Sequence, residues 1–204
     1  MYIPTQFQVT DLDEIHRFIE DYGFGMILSD SLTGTHLPFI LDKNEGEFGT
    51  LYGHFARANP HWKVLAEKTA LIVFQGPHAY ISPTWYQSTP NVPTWNYTAV
   101  HAYGNVTVLP ETDVVEVMEK TVKYYEPAVW RDQSVMPDSY REKLQKAIVV
   151  CKITLTKLEA QYKLGQHKKA NDQQGVASSL SQQTDVDPMS LYQFMQKKQL
   201  GIGK

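Results

Sequence analysis

A stretch that joins a strand to a helix carries the first residues that could do chemistry. The segment GHFARANPHW, residues 53–62, places Arg57 two residues before Asn59-Pro60, where an N-cap precedes proline at the first helical position. Free N–H groups and the positive end of the helix dipole favour a phosphate there, and a guanidinium can clamp it with two hydrogen bonds. The alternative is an arginine at a strand end in a surface salt bridge.

An aromatic segment, FQGPHAYISPTWY over residues 74–86, follows a buried strand. Gly76 would let a ligand approach the backbone closely. Flat apolar faces and hydroxyl groups are carried by Tyr80, Trp85, Tyr86, Ser82 and Thr84. Mostly apolar walls with a few polar groups suit a planar heteroaromatic ligand. The alternative is an aromatic patch that packs a loop onto the core or against a partner subunit.

A third segment, VPTWNYTAVHAY over residues 92–103, opens a long strand. Strand alternation puts Thr94, Asn96 and Thr98 on one face and Trp95 and Tyr97 on the other. The Asn96 amide offers both a donor and an acceptor, as recognition of a flavin or pyrimidine edge requires. The alternative is a solvent-facing Asn96 beside core rings.

A short basic stretch, KLGQHKK over residues 163–169, could reach a phosphate or a nucleic acid, or could be a solvated surface run. The whole chain has 19 Lys and Arg against 22 Asp and Glu, for a net charge of -3. A dedicated DNA-binding domain usually has a basic excess, because phosphate contacts dominate its affinity. The charge therefore argues against strong direct DNA binding.

Familiar catalytic and metal-binding signatures are absent. The chain has no GxGxxG, Walker A, HExxH, GxSxG or paired CxxC motif. Its 7 His are scattered without metal-ligand spacing, so no metal site is predicted. Cys151, the single cysteine, sits in an apolar alternation and is expected to be a core thiol rather than a nucleophile.

The length and composition indicate a globular protein. A chain of 204 residues suggests one domain with a small appendage. No apolar run approaches the ~18 residues of a membrane span, and the N-terminus lacks a secretory signal. With a single cysteine and hence no internal disulfide, a cytoplasmic location is expected.

Apolar periodicity predicts helices over residues 11–22, 61–68, 111–125, 138–147, 172–180 and 188–199. Apolar runs bounded by turn signals predict strands over 25–29, 36–41, 47–57, 69–74, 94–109 and 149–156. Thr10 is the expected N-cap of the first helix, Gln75-Gly76-Pro77 should end the fourth strand, and Gly104-Asn105 should break the fifth. About six strands with peripheral helices indicate an α+β protein built on an antiparallel sheet or small barrel.

Long segments rich in rare residues resemble the PaiB-type family of FMN-binding negative transcriptional regulators, within the FMN-binding split-barrel superfamily. They are MYIP (1–4), HLPF (36–39), GHFARANPHW (53–62), GPHAYISPTWY (76–86), VPTWNY (92–97) and VHAYG (100–104). The resemblance spans residues 1–180 or so. It implies a six-stranded split barrel over residues 1–183, a C-terminal helical tail over 184–204, and a homodimer with FMN at the subunit interface. It also implies control of protease synthesis and sporulation.

The resemblance, with the chemistry of the side chains, assigns cofactor contacts residue by residue. The phosphate side would be formed by Arg57 and Asn59, with Lys163 and Gln166. The ring would be lined by Tyr80, Ile81, Ser82 and Trp85, and the site closed by Thr94, Trp95 and Asn96. The family pattern after the last strand is similar to KLSQN, whereas Gly165 and His167 replace its serine and asparagine here. This departure predicts weaker FMN binding or different phosphate contacts.

Three functions stay open. The first is a non-enzymatic flavin-linked regulator, whose DNA contact would need a basic surface. That surface would draw on Arg141, Lys143, Lys146, Lys163, Lys168 and Lys169. The second is an FMN-dependent oxidoreductase or flavin reductase, with His78 or His101 as proton donor. The third is a non-catalytic dimer module without a cofactor.

Overall fold

Six α-helices and eight β-strands follow one another in a computed structural model that describes residues 1–204. The strands are β1 Gln8–Val9, β2 Phe24–Leu28, β3 Gly34–Pro38, β4 Ile40–Asp42, β5 Thr50–Ala56, β6 Thr69–Ile81, β7 Thr94–Val108 and β8 Ile148–Lys163. The helices are α1 Leu12–Asp21, α2 His61–Leu65, α3 Val114–Tyr125, α4 Asp138–Ala147, α5 Ala170–Ser181 and α6 Val186–Lys198. None of these helices has the length and apolar character that a membrane span needs.

All eight strands belong to one sheet. Its order is β3-β2-β6-β7-β8-β5-β4, and β1 pairs with β8 off this path. The pairs β1–β8, β2–β3, β2–β6, β4–β5 and β5–β8 are antiparallel. In the β5–β8 register Gly53 lies opposite Cys151. The predicted α+β class with an antiparallel sheet is confirmed, and the short strands β1 and β4 raise the strand number above the predicted six.

The chain divides into two compact units. Unit 1 comprises residues 1–15, 75–100 and 159–204, and unit 2 comprises residues 16–74 and 101–158. The long strands β6, β7 and β8 each contribute residues to both units. The predicted division into residues 1–183 and 184–204 stays a prediction.

The core of unit 2 is built from the inward faces of its strands. The side chains of Ile27, Leu51 and Phe55 are fully buried there. Phe39 meets Phe74 edge-to-face with ring centroids 5.8 Å apart. The Cys151 thiol is also fully buried, as predicted, and burial raises its pKa to about 12.

The core of unit 1 brings the end of β8 together with the C-terminal helices. Leu164, Leu180 and Leu191 are buried. Gly201 has a φ of +71°, and a Cβ there would overlap the carbonyl oxygen of Leu164. Only glycine therefore lets the chain end pack against the end of the sheet.

Several predicted boundaries are wrong because pairing and packing override local signals. β6 runs through Gly76-Pro77 to Ile81, and the carbonyl of Pro77 accepts a hydrogen bond from the Thr98 hydroxyl at 3.2 Å. β7 is unbroken at Gly104, where a Cβ would lie 2.7 Å from Ile153 Cγ2. The glycine there permits close approach of β8 and does not end a strand.

Other observed ends of strands and helices also differ from the predicted ones. β8 extends to Lys163, because its polar second half pairs with β1. The side chain of Asp11, rather than Thr10, caps α1 by accepting a hydrogen bond from Glu14 N at 2.9 Å. The last helix begins at Val186, before Asp187-Pro188.

Candidate functional site

A cavity of about 230 Å³ in unit 1 is the best-supported ligand site. Its walls come from the N-terminal segment, the loop before β7, the start of β7 and the turn after β8. They are formed by Gln6, Phe7, Tyr86, Val92, Thr94, Asn96, Lys163, Gly165, His167 and Lys168. Four of the eleven residues predicted from the sequence as cofactor contacts, Thr94, Asn96, Lys163 and Gln166, lie in these walls or in the turn that holds them.

The start of β7 supplies the polar floor. Strand alternation turns Asn96 inward, where it is 2% exposed, and leaves Trp95 48% exposed on the other face. The Asn96 amide lines the cavity, and its nitrogen would lie 3.7 Å from a Cβ at Gly165. The alternative of a solvent-facing Asn96 is therefore wrong. An amide that lines a cavity can donate to and accept from a ligand with complementary polar atoms.

Lys163, the last residue of β8, brings a positive charge to the same wall. Its ammonium donates hydrogen bonds to the Thr94 hydroxyl and to the Trp95 carbonyl, both at 2.8 Å. Burial lowers its pKa. An ammonium has three donor hydrogens, so one remains for an anionic ligand.

The turn after β8 is held by the Gln166 side chain. Its amide oxygen accepts from Leu164 N at 2.8 Å, and its amide nitrogen donates to the carbonyls of Tyr162 at 2.6 Å and Gln6 at 3.2 Å. These bonds tie the turn to the N-terminal segment. Gly165 makes the turn possible with a φ of +80°.

His167 packs its ring edge-to-face on Phe7, with centroids 5.2 Å apart. Burial, then the charges of Lys168 and Lys163, lower the pKa of this imidazole. The side chain is therefore neutral at pH 7 and can offer one donor or one acceptor to the cavity.

The loop before β7 is fastened to α5. The Asp172 carboxylate accepts from the Ser88 backbone N–H at 2.8 Å and from the Ser88 hydroxyl at 2.7 Å, and these bonds lower its pKa. The Lys168 ammonium donates to Asn91 at 2.9 Å and lies 5.0 Å from the centroid of the Tyr86 ring. The loop thus presents an aromatic face and a second cation to the cavity.

Other predicted ring-lining residues lie elsewhere in unit 1. Tyr80 is 47% exposed and its ring centroid lies 6.3 Å from that of Trp95, whereas Ile81 is fully buried. The Ser82 hydroxyl accepts from Thr84 N at 3.2 Å and caps the 3-10 helix Pro83–Trp85. None of Tyr80, Ile81, Ser82 and Trp85 lines the cavity, so their contact with a ring stays a prediction.

The predicted phosphate-side pair belongs to unit 2. Arg57 donates to the carbonyls of Lys146 at 2.7 Å and Ile148 at 3.0 Å, and it pairs with the Glu111 carboxylate at 2.9 Å. This is the surface salt bridge that the sequence left open as an alternative. The Asn59 side-chain oxygen Oδ1 accepts from the backbone N–H of His61, the first residue of α2, at 3.0 Å. Their role toward a phosphate stays a prediction.

Sequence reasoning did not single out Gln6 and Phe7. They reach the cavity because β1 pairs with β8, with Gln8 opposite Gln161. The only sequence signal was the family resemblance of the first four residues. The assembled site combines a buried amide, two ammonium groups and an aromatic face, and this donor set fits a planar ligand that carries a phosphate.

Known proteins share this arrangement of elements. The chain is 36% identical over 206 residues to "Protease synthase and sporulation protein PAI 2" of Bacillus subtilis (strain 168), covering 97% of this chain and 98% of the relative. The flavocytochrome Anf3 from Azotobacter vinelandii superposes with a TM-score of 0.56 at 12% identity, covering 78% of this chain and 71% of that one. The FAD and heme binding protein from Mycobacterium smegmatis superposes with a TM-score of 0.54 at 11% identity, covering 78% and 74%.

The two structures show the fold, and the predicted split-barrel class is confirmed. Residues 1–157 match the family described as "Putative FMN-binding domain". That match covers most of the chain, and the relative from B. subtilis extends the similarity to nearly all of it. The chain therefore belongs to the PaiB-like family of FMN-binding domains.

Proposed function

We propose that this chain is an FMN-binding regulator of gene expression that works as a homodimer. The observation that carries the flavin proposal is that the Asn96 amide and the Lys163 ammonium line the same cavity. An isoalloxazine edge alternates donors and acceptors, and a terminal phosphate seeks cations. This pair of groups fits both ends of such a ligand.

The chain's own residues divide the binding between them. Asn96 pairs with the polar edge of the ring, and Tyr86 offers it an aromatic face. Lys163 and Lys168 attract the phosphate, and the neutral His167 adds a hydrogen bond. When bound, FMN supplies reversible uptake of electrons, which would make the regulator responsive to redox conditions.

Dimerisation is favoured by the size of the cavity and by an exposed aromatic pair. The cavity of about 230 Å³ is smaller than the roughly 300–1,000 Å³ of small-molecule sites, so a second copy would complete it. Tyr80 and Trp95 expose nearly half of their surfaces, as aromatic residues at subunit interfaces do before association. Sedimentation should detect a dimer that Trp95→Ser weakens, and a monomeric wild-type chain would contradict this part of the proposal.

The regulatory role is supported by the name of the B. subtilis relative, which refers to protease synthesis and sporulation. Three of the six side chains predicted to contact DNA are engaged within the fold. Arg141 stacks on Trp130 at 4.4 Å and donates to its carbonyl, while Lys163 and Lys168 are held by hydrogen bonds within unit 1. With a net charge of -3, these contacts favour regulation without strong direct DNA binding. A salt-sensitive shift of promoter DNA by the pure protein would reverse that preference.

An FMN-dependent oxidoreductase is the second candidate. The observation in its favour is His78, whose Nδ1 is buried without a partner and whose ring lies 5.9 Å from that of Trp95. Such a nitrogen could hold a proton for transfer. Anaerobic addition of NADH or NADPH would bleach the flavin absorbance if this function were correct, and the absence of bleaching would exclude both nicotinamide donors.

The decisive experiment is an absorbance spectrum of the purified chain with and without added FMN. Bound FMN should shift its visible bands and quench its fluorescence at one equivalent per chain. Asn96→Ala should weaken binding about tenfold, about 1.4 kcal/mol, because the ring edge loses its partner. Asn171→Ala, an exposed position on α5, is the matched control. A colourless wild-type protein that leaves FMN fluorescence unchanged would identify the chain as a dimer module without a cofactor.

A further inference from the structure

A second cavity, of about 430 Å³, lies entirely in unit 2 between β4 and α3. None of the residues that line it belongs to the flavin site described above. Its volume falls within the roughly 300–1,000 Å³ of small-molecule sites. No residue of this cavity was singled out from the sequence, because its walls come from segments far apart in the chain.

The body of the cavity is apolar and aromatic. Leu41 of β4 and Tyr52 of β5 form one side, and Tyr124 of α3 forms the other. Tyr52 is anchored, since its hydroxyl donates to the Glu45 carboxylate at 2.5 Å. The Tyr124 ring remains 49% exposed, and its hydroxyl donates to the Glu20 carbonyl at 3.2 Å, which holds the ring in place. The exposed Tyr124 face beside the aliphatic side chains of Ile40 and Leu41 suits a flat aromatic molecule.

The rim of the cavity is cationic. Lys43, Lys120 and Lys123 line it, against the single carboxylate of Asp42. Lys120 and Lys123 stand three residues apart on α3 and so project from the same helix face. The Lys120 ammonium lies 5.2 Å from the centroid of the Tyr52 ring, at the mouth of the apolar region.

Each of these lysines has a partner outside the cavity. Lys43 pairs with Glu20 at 3.3 Å, Lys120 pairs with Glu116 at 3.0 Å, and Lys123 pairs with Glu119. All three ammonium-bearing side chains are about half exposed, and such pairs are worth at most about 1 kcal/mol. The acidic partners do not line the cavity, so an anion inside it would attract the ammonium groups inward.

We propose that this cavity is a binding site for a small aromatic anion, such as an aromatic carboxylate or sulfonate. The ring of the ligand lies against Tyr124 and Leu41, and the acid group meets the ammonium groups of Lys120 and Lys123. In a regulator, a ligand of this class would act as an effector that is separate from the flavin.

Titration of the full chain with 1-anilinonaphthalene-8-sulfonate, an aromatic anion whose fluorescence rises on binding, tests the proposal. Saturable binding at one equivalent per chain is expected. The double variant K120Q/K123Q should weaken it at least about fivefold, about 1 kcal/mol. K143Q/K146Q, which removes two exposed lysines of α4, should leave the affinity unchanged. Tyr124→Ala should weaken binding without changing its dependence on salt.

Two further measurements are needed. One distinguishes recognition of the negative charge from nonspecific binding to apolar surface, and the other distinguishes this cavity from the proposed flavin site. The neutral analogue N-phenyl-1-naphthylamine should bind more weakly than the sulfonate and should not respond to K120Q/K123Q. Asn96→Ala should leave sulfonate binding intact, even if FMN binding is lost or never occurs. No saturable binding, equal binding of the neutral analogue, or an unchanged affinity in K120Q/K123Q would each overturn the proposal.

Discussion

Gly175 of α5 lies directly against the carbonyl oxygen of Trp85, so closely that a Cβ at residue 175 would overlap that oxygen. This contact seats α5 against the 3-10 helix Pro83–Trp85, next to the loop that Asp172 fastens through Ser88. The packing of one glycine therefore helps to position the segment that carries Tyr86 beside the cavity of unit 1.

Gly175→Ala should destabilise the chain by about 1–3 kcal/mol, because the added methyl group must push Trp85 or α5 away. Chemical denaturation would measure the loss. Ser178→Ala, an exposed position on the same helix, should change stability by less than about 0.5 kcal/mol. A Gly175→Ala variant as stable as the wild type would contradict the close packing of these two elements.

Lys163→Gln should weaken FMN binding about tenfold or more, because the charge-assisted contact with the phosphate disappears. Fluorescence quenching of FMN would measure the dissociation constant, and thermal melting would report separately on the bonds to Thr94 and Trp95. Lys169→Gln, at an exposed position, is the control. Equal losses in both variants would point to general electrostatic attraction instead of a phosphate contact by Lys163.

Stability should fall as pH falls from about 7 to about 5.5. Burial lowers the pKa values of His54 and His61, and burial with nearby lysine charges lowers that of His167. Just below the ordinary histidine pKa of about 6.5, the unfolded chain therefore binds more protons than the folded chain, so acidification favours unfolding.

His61 allows this pH dependence to be assigned. Its ring is 2% exposed, Nδ1 lies 2.8 Å from the Thr35 hydroxyl and Nε2 has no partner. Denaturation of His61→Asn over the same pH range should give a shallower slope than the wild type. An identical slope would assign the effect to His54, His167 or other groups.

Cys151 should be inert in the folded protein. The thiol is fully buried and its pKa is raised to about 12, whereas the reactive species is the thiolate. At about pH 8, labelling with a disulfide reagent should proceed only as fast as the protein unfolds. The same reagent should label the chain at once in concentrated guanidinium chloride. Labelling that outruns unfolding would mean that a local opening exposes β8.

Much of the fold could be predicted from periodicity. The apolar spacing of Ile15, Phe18 and Ile19 located α1, and alternation around Cys151 located the buried part of β8. What periodicity could not predict was how far the strands continue. Gly76-Pro77 has the composition of a turn, yet pairing within the sheet keeps it extended. The polar end of β8 is a strand because β1, distant in sequence, pairs with it.

The site was predictable where one strand carries it and unpredictable where several segments meet. Strand alternation correctly predicted that Thr94 and Asn96 share one face of β7. That this face points inward follows only from the burial of Asn96 in the folded chain. Phe7 lines the cavity because β1, the strand that directly follows it, pairs with the distant strand β8. Sequence chemistry left Arg57 open between a phosphate clamp and a surface salt bridge, and in the folded chain nearby carbonyls and Glu111 hold its guanidinium.

Unit 1 is assembled from three separate stretches of chain, the last of which begins at Glu159, after every residue of unit 2. During synthesis on the ribosome, the cavity of unit 1 therefore cannot form completely until Lys163 through Lys168 have left the ribosome. All residues that line the second cavity, between β4 and α3, leave the ribosome earlier. A chain cut after unit 2 would contain every residue that lines the second cavity but would lack Lys163, Gly165, His167 and Lys168 of the first.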